Sequence, residues 1–190
     1  MRVIAGSHRG RRLSGPEGTE LRPTSDKVRQ AIFSILGTKI TGGRFLDLYA
    51  GTGAVGIEAL SRGASAVTFV ESDPKVVQLL QKNLRTCQLL DRARVHLGQT
   101  AAFLDQKDSW ESPYDVLFAD PPYAARDELE IMMHSWRPGL LSEHATMIFE
   151  QDSRTELPVT IDHASLLRRY VYGDTALYLY GLSTAQSTAS

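Results

Sequence analysis

The sequence predicts an α/β fold, a parallel β-sheet covered by helices on both faces, and three observations carry that prediction. Short apolar segments alternate with amphipathic ones from Arg44 to Glu150. A G-x-G-x-x-G loop, Gly51-Thr-Gly-Ala-Val-Gly56, joins the first such strand to the helix after it. Two aromatic-rich segments then flank Gly173-Asp174, a hairpin signal that makes the final strand antiparallel to its neighbour.

The elements follow in order. Residues 2–13 read as a short strand or arm, and residues 14–20 as a turn-rich stretch. Thr24 or Ser25 can cap a helix, with Asp26 favourable in its first turn. Val28, Ala31, Ile32 and Ile35 give that helix an apolar stripe at i, i+3, i+4, i+7, and Gly37 with Gly42-Gly43 ends it. Strands are predicted over 44–49, 66–71, 94–97, 115–119 and 145–150, and helices over 55–62, 74–87 and 127–136. Pro74 takes the tolerated first position of its helix. The closing strands span 166–172 and 176–180, and residues 183–190 form a polar tail expected to be mobile. The expected organisation is therefore a basic arm and helix over 1–36 packed on the core, a main domain over 37–182, and the tail.

Composition narrows the class. At 190 residues, 42% apolar and 23% charged, the chain suits one globular domain. No apolar run approaches the roughly 20 residues needed to span a bilayer, and the start lacks a secretory signal. Cys87 is the only cysteine, which excludes an intrachain disulfide and an all-cysteine metal site. A cytoplasmic location is expected. His8, His96, His134, His144 and His163 show no helical i, i+4 pair, so no metal is expected.

Charge is balanced overall at −1 but unevenly spread. Residues 1–30 carry seven basic groups, Arg2, Arg9, Arg11, Arg12, Arg22, Lys27 and Arg29, against Glu17, Glu20 and Asp26. A basic arm on an acidic body is the pattern of a polyanion-binding extension, with a solvated terminus as the plain alternative.

Two segments carry chemistry. In Phe45 to Gly56 the glycines let the backbone approach a ligand while the helix N-terminus offers free N–H groups. Glu71, 20 residues after Gly51 at the end of the next strand, can accept bonds from both hydroxyls of a ribose. The loop and Glu71 read as a site for an adenosine-containing cofactor. NAD is compatible with the fingerprint, but Asp47 would repel a pyrophosphate and attract an ammonium group, which favours S-adenosylmethionine; an acid bonded to neighbouring backbone N–H groups suits either.

The second segment is Asp120-Pro121-Pro122-Tyr123 at the end of the fourth strand, where open parallel sheets bind ligands. It suits methylation of an amine conjugated to an aromatic ring. The Asp120 carboxylate and the Pro121 carbonyl can each accept an N–H and turn the nitrogen lone pair towards a methyl donor. The two prolines stiffen the loop, and Tyr123 offers a face for an extruded base. A rigid surface turn would use the same residues.

Together these segments resemble the RsmD family of bacterial ribosomal RNA methyltransferases. The resemblance rests on Arg2 to Leu13, Arg22 to Arg29, Asp47 to Gly56, Glu58-Ala-Leu-Ser-Arg-Gly63, Asp120 to Tyr123 and Phe149-Glu150, in the family's order. It covers residues 2–181. It implies a class I (Rossmann-like) S-adenosylmethionine-dependent methyltransferase fold: a seven-stranded, mostly parallel sheet with an antiparallel last strand, plus a short basic N-terminal extension. It implies methyl transfer to the exocyclic N2 of one guanine of 16S rRNA, in the small subunit or its assembly intermediate, by a monomer that releases S-adenosylhomocysteine. By position, Asp120, Pro121, Pro122 and Tyr123 would engage the guanine. Asp47, Tyr49, Ala50, Gly51, Thr52, Gly53 and Gly56 would hold the methionine half, and Glu71 with Ser72 the ribose. Gln99-Thr100 stands where related enzymes often place Asp or Asn against the adenine amino group; the Gln99 carbonyl can accept that bond. Arg9, Arg11, Arg12, Arg22, Lys27 and Arg29 would meet RNA phosphates.

Three rivals differ in their chemistry. An adenine-N6 DNA or glutamine-N5 protein methyltransferase shares the tetrapeptide, but 190 residues leave no long target-recognition insertion. A nicotinamide oxidoreductase lacks a convincing Tyr/Lys or His/Asp constellation. A non-catalytic RNA-binding module has no need of the Asp120 acceptors.

Overall fold

In the computed structural model, residues 1–15, 24–121, 138–161 and 163–182 are described. The expected helix over 127–136, the tail 183–190, Arg22, Pro122 and Tyr123 lie outside them.

The first helix, α1 (Asp26–Leu36), starts where Ser25 caps it: the Ser25 hydroxyl accepts from Val28 N at 3.2 Å. Val28, Ala31, Ile32, Phe33 and Leu36 are buried, a wider stripe than the spacing suggested. Strand and helix then alternate through β1 (Arg44–Leu48), α2 (Ala54–Ser61), β2 (Ala66–Glu71), α3 (Pro74–Cys87), β3 (Ala93–Leu97), α4 (Thr100–Asp105) and β4 (Tyr114–Ala119). Asp73 caps α3 and Pro74 opens it, as its sequence predicts. The short helix α4 was not predicted; six residues are too few to show a helical period.

The strands β5 (Leu141–Asp152), β6 (Thr160–Ile161), β7 (Ala164–Tyr172) and β8 (Thr175–Leu182) complete one sheet. Its order is β3-β2-β1-β4-β5-β8-β7-β6. Strands β1 to β5 run parallel; β8 is antiparallel to β7, as the Gly173-Asp174 hairpin required, and also to β5. The seven expected strands are present, and two residues at the edge, β6, add an eighth.

Alternation along each strand divides the core. Phe45, Val116, Phe118, Ile148 and Leu177 pack with α1, α2 and α3 on one face. Leu46, Leu48, Leu117, Ala119, Met147 and Phe149 pack with α4 residues Phe103 and Leu104 on the other. From β1 the chain runs outward through β2 to β3 on one side and through β4 to β5 on the other. The boundary between β1 and β4 is therefore the switch point, outside whose carboxyl ends such sheets bind ligands.

Candidate active site

Register brings the two predicted segments together. Leu48 pairs with Val70 on one side and with Ala119 on the other. Tyr49, Glu71 and Asp120, the residues that follow, thus stand in one row at the carboxyl edge, with strands about 4.8 Å apart. Asp120 and Glu71 are both close enough to Asp47 to act on it electrostatically.

Each carboxylate is held differently. Asp47 is 1% exposed, and its Oδ2 accepts from Gly56 N at 2.9 Å, which ties β1 to the first turn of α2. Burial raises its pKa well above the ordinary carboxylate range, and Asp120 and Glu71 push it the same way. Burial raises Asp120 to about 7. Glu71 braces two loops: Oε2 accepts from Gly51 N at 2.9 Å, and Oε1 from Ser72 N at 2.8 Å and Asp73 N at 2.9 Å. A carboxylate oxygen has two lone pairs, so Oε1 is fully used and Oε2 keeps one for a ribose hydroxyl.

The glycine loop is shaped by packing as much as by ligand access. A Cβ on Gly56 would lie 2.2 Å from the Phe69 ring and 2.9 Å from Asp47 Oδ2, so only glycine lets α2 approach the sheet so closely. Tyr49 turns the chain out of β1 with φ 60, a conformation uncommon outside glycine. Ala50 N donates to Val70 O at 2.9 Å, and Gly53 caps α2. Gln99 caps α4 from the adjacent edge and is exposed, while Thr100 is buried. Ser72 is exposed, and Pro121, beside Asp120, is buried.

The predicted arm is a folded hairpin, not an extended strand. Arg2 and Arg12 form an antiparallel bridge, Leu13 N donates to Met1 O at 3.0 Å, and Val3 and Leu13 enter the core. Glu58, fully buried in α2, accepts from Ile4 N at 2.7 Å, Ala5 N at 2.9 Å and Arg62 Nε at 2.7 Å. Ser61 Oγ donates to Ala5 O at 2.6 Å and accepts from His8 N at 2.9 Å. A Cβ on Gly6 would come within 1.9 Å of the Ser61 carbonyl oxygen. Asn83 on α3 closes the far end: Nδ2 donates to Ser14 O and Thr52 O, both at 3.0 Å, and Oδ1 accepts from Ser14 N at 2.8 Å. The hairpin and the glycine loop therefore share one buried side chain.

This clamp corrects one expectation. Arg29, assigned to RNA phosphates, is fully buried; its Nη2 donates to Arg2 O at 2.6 Å and to Asp26 Oδ1 at 2.8 Å, with Glu58 4.0 Å from Nε. It cannot reach a phosphate without unpacking α1. Its spacing held the signal, since Arg29 shares a face with Ile32, Phe33 and Leu36. Arg9, Arg11, Arg12 and Lys27 are exposed. Glu58, Ser61 and Asn83 were not predicted as functional or positioning residues. Their signal was polarity at apolar spacing: Asn83 lies in line with Val76, Leu80 and Cys87, and all eight residues of α2 are buried.

Among the described residues no group of three His, Cys, Asp or Glu is arranged to hold a metal ion, and no helix is long and apolar enough to cross a membrane. The charged groups acting on Asp47 are both carboxylates, so the crevice is acidic and has chemistry suited to a cationic ligand.

The family model described as Conserved hypothetical protein 95 matches residues 1–181. The chain is similar to "Ribosomal RNA small subunit methyltransferase D" of Escherichia coli (strain K12), 39% identical, over 95% of this chain and 89% of that one. Among solved structures it is similar to "Putative methyltransferase yhhF from Escherichia coli", TM-score 0.85 and 38% identity over 96% of this chain and 98% of that one. It shares the fold of "SMU.776, a putative methyltransferase complexed with SAH", TM-score 0.68 and 15% identity over 85% of this chain and 50% of that one. With a methyltransferase fold, and a family match that runs from the hairpin through β8, the chain belongs to the Conserved hypothetical protein 95 family, the RsmD-type methyltransferases.

Proposed function

We propose that the protein transfers a methyl group from S-adenosylmethionine to the exocyclic N2 of a guanine in 16S rRNA, within the small ribosomal subunit or its assembly intermediate. The observation that carries this reading is the cluster of three carboxylates at the β1–β4 switch point, Glu71 and Asp120 at the carboxyl edge and Asp47 two residues deeper on β1, where the charges acting on Asp47 are those of the other two. Such a donor set fits an amino-acid ammonium and a sulfonium and opposes a pyrophosphate, which speaks against NAD. The rRNA substrate comes from the similarity to a small-subunit rRNA methyltransferase over nearly the whole chain.

S-adenosylmethionine would supply an electrophilic methyl carbon. Asp47 and the backbone of Tyr49 to Gly53 would hold its methionine half, Glu71 and Ser72 its ribose, and Gln99 with Thr100 its adenine. Asp120 would accept one N–H of the guanine amine and the Pro121 carbonyl the other, which turns the lone pair out of conjugation with the ring. Most of the acceleration is then positional. With its pKa near 7, the Asp120 carboxylate also suits the proton that the amine loses as its new bond to carbon forms. By the resemblance, Pro122 and Tyr123 would also engage the base. Arg9, Arg11 and Arg12, presented by a hairpin that is itself fastened to the rest of the fold, would neutralise phosphates together with Arg22 and Lys27.

The test is to map 16S rRNA methylation after deletion of the gene and to restore it in vitro with purified protein and labelled S-adenosylmethionine. One N2-methylguanine should vanish on deletion and return with wild-type protein but not with Asp120→Ala. Label appearing in DNA or protein and not in small-subunit RNA contradicts the reading.

A further inference from the structure

Asn83 on α3 has no part in the mechanism above, yet it is bonded to the glycine loop on one side and to the N-terminal hairpin on the other. The side chain has no exposure. Its Nδ2 donates to Thr52 O and to Ser14 O, and its Oδ1 accepts from Ser14 N. Ser14, the residue after the hairpin's second strand, is thus gripped at both its N–H and its carbonyl. The hairpin's first residue reaches the same loop, since Thr52 Oγ1 donates to Met1 Sδ at 3.7 Å. Both ends of the hairpin therefore meet at Thr52, one directly and one through Asn83.

The bond to Thr52 falls where the loop must be shaped. Thr52 O and Gly53 N belong to one peptide unit; Asn83 holds its carbonyl, and Ala50 O accepts its N–H at 2.9 Å. Gly53 follows with φ 78 and opens α2, so this peptide sets the direction in which the helix leaves the loop. Leu80, three residues before Asn83 on the same face of α3, closes from the same side: a Cβ on Gly53 would lie 2.0 Å from Leu80 Cδ1. An apolar side chain at position 83 would continue the stripe of Val76, Leu80 and Cys87 without the desolvation cost of an amide. What the amide adds is its bonds to the loop and the hairpin.

We propose that Asn83 is a positioning residue of the cofactor site, which holds the Thr52–Gly53 peptide in the conformation that receives the methionine half and uses the N-terminal hairpin as its brace. The inference rests on the S-adenosylmethionine reading of the glycine loop and gives the hairpin a second task beside the one proposed for its arginines. A buried carbonyl that loses its donor is left unsatisfied, so removing the Asn83 amide releases the loop at this peptide.

The test compares Asn83→Ala with Ser61→Ala, which also unfastens the hairpin, at Ala5 and His8, but from the opposite end of α2. Affinity for S-adenosylhomocysteine is measured by calorimetry, and KM and kcat on small ribosomal subunits. Asn83→Ala should weaken S-adenosylhomocysteine at least about tenfold and raise the KM for S-adenosylmethionine in step, with kcat at saturating cofactor within about threefold of wild type. Ser61→Ala should change cofactor affinity by less than about twofold. Wild-type affinity in Asn83→Ala, or a loss confined to kcat, would overturn the inference. So would an equal loss of affinity in Ser61→Ala, the result expected of general loosening. If Asn83→Ala fails to fold, Ser14→Pro removes the N–H that Asn83 accepts while leaving the glycine loop itself untouched. It should weaken S-adenosylhomocysteine at least about threefold, and an unchanged affinity counts against the brace. Wild-type protein separates the two levels: no binding of S-adenosylhomocysteine removes the cofactor reading itself, whereas binding that survives Asn83→Ala removes only this inference.

Discussion

Buried carboxylates lie under the N-terminal hairpin and in the crevice at the carboxyl edge of the sheet, and the fold treats them in opposite ways. Glu58 lies under the hairpin with no exposure, and the protein surrounds it with Arg62 at 2.7 Å, two backbone N–H groups and Arg29 at 4.0 Å. Asp47, 1% exposed, accepts a backbone N–H from Gly56 and faces the further carboxylates Asp120 and Glu71. The first charge is neutralised within the chain. On the proposed reading the second is left to a ligand, which makes the same kind of group structural in one place and functional in the other.

The largest effects should come from the clamp. Glu58→Ala removes one of the two carboxylates beside buried Arg29, leaves Arg62 without its partner and frees the hairpin from α2, and should cost about 3–5 kcal/mol of stability by chemical denaturation. A loss near zero would mean that the hairpin is not fastened by this group. In the crevice the same kind of change should act in the other direction. Asp120→Asn should lower turnover about 10²- to 10³-fold with a much smaller loss of cofactor affinity, no larger than protonation of Asp120 causes, yet stabilise the free protein. The sign follows from linkage: the folded pKa, about 7, lies above the ordinary 3.8, so the folded state holds a proton that the unfolded state releases. Wild-type stability should therefore fall as pH rises from about 4 to 7, and Asp120→Asn should melt higher than wild type at pH 8 but not at pH 4. An equal fall in turnover and cofactor affinity would contradict the role given to Asp120.

The smallest effect separates the exposed arginines from the buried one. Arg11→Ala with Arg12→Ala should leave the melting temperature near wild type and reduce the salt slope of RNA binding by about 0.7–0.9 for each phosphate no longer neutralised. Arg29→Ala should do the reverse, destabilising the fold as a buried pair is broken. A salt slope unchanged by the double substitution removes the hairpin from the RNA interface.

The sheet was legible because strands and helices here obey their periods: β2 and α3 have the bounds that alternation and Pro74 predict. The meeting of Asp47 and Glu71 with Asp120 was legible too, since parallel strands deliver their carboxyl ends to one edge. Residues that join distant segments were not. Asn83 touches Thr52 and Ser14, 31 and 69 positions away, and no local spacing encodes such pairings. Arg29 shows the opposite failure. Counted as one more charge in a basic arm, it is the residue around which that arm is anchored. A polar residue in line with an apolar stripe was the available signal in both cases.

The measurement closest to the centre of this account is calorimetric binding of S-adenosylmethionine at pH 7 in two buffers of different ionisation enthalpy. A cationic ligand beside Asp120 and Asp47 must favour their charged forms, so binding should release a fraction of a proton, weaken as pH falls through about 7, and lose much of both effects in Asp120→Asn. The same heat in both buffers, with an affinity flat from pH 6 to pH 8, would contradict a crevice whose buried carboxylates await a positive charge.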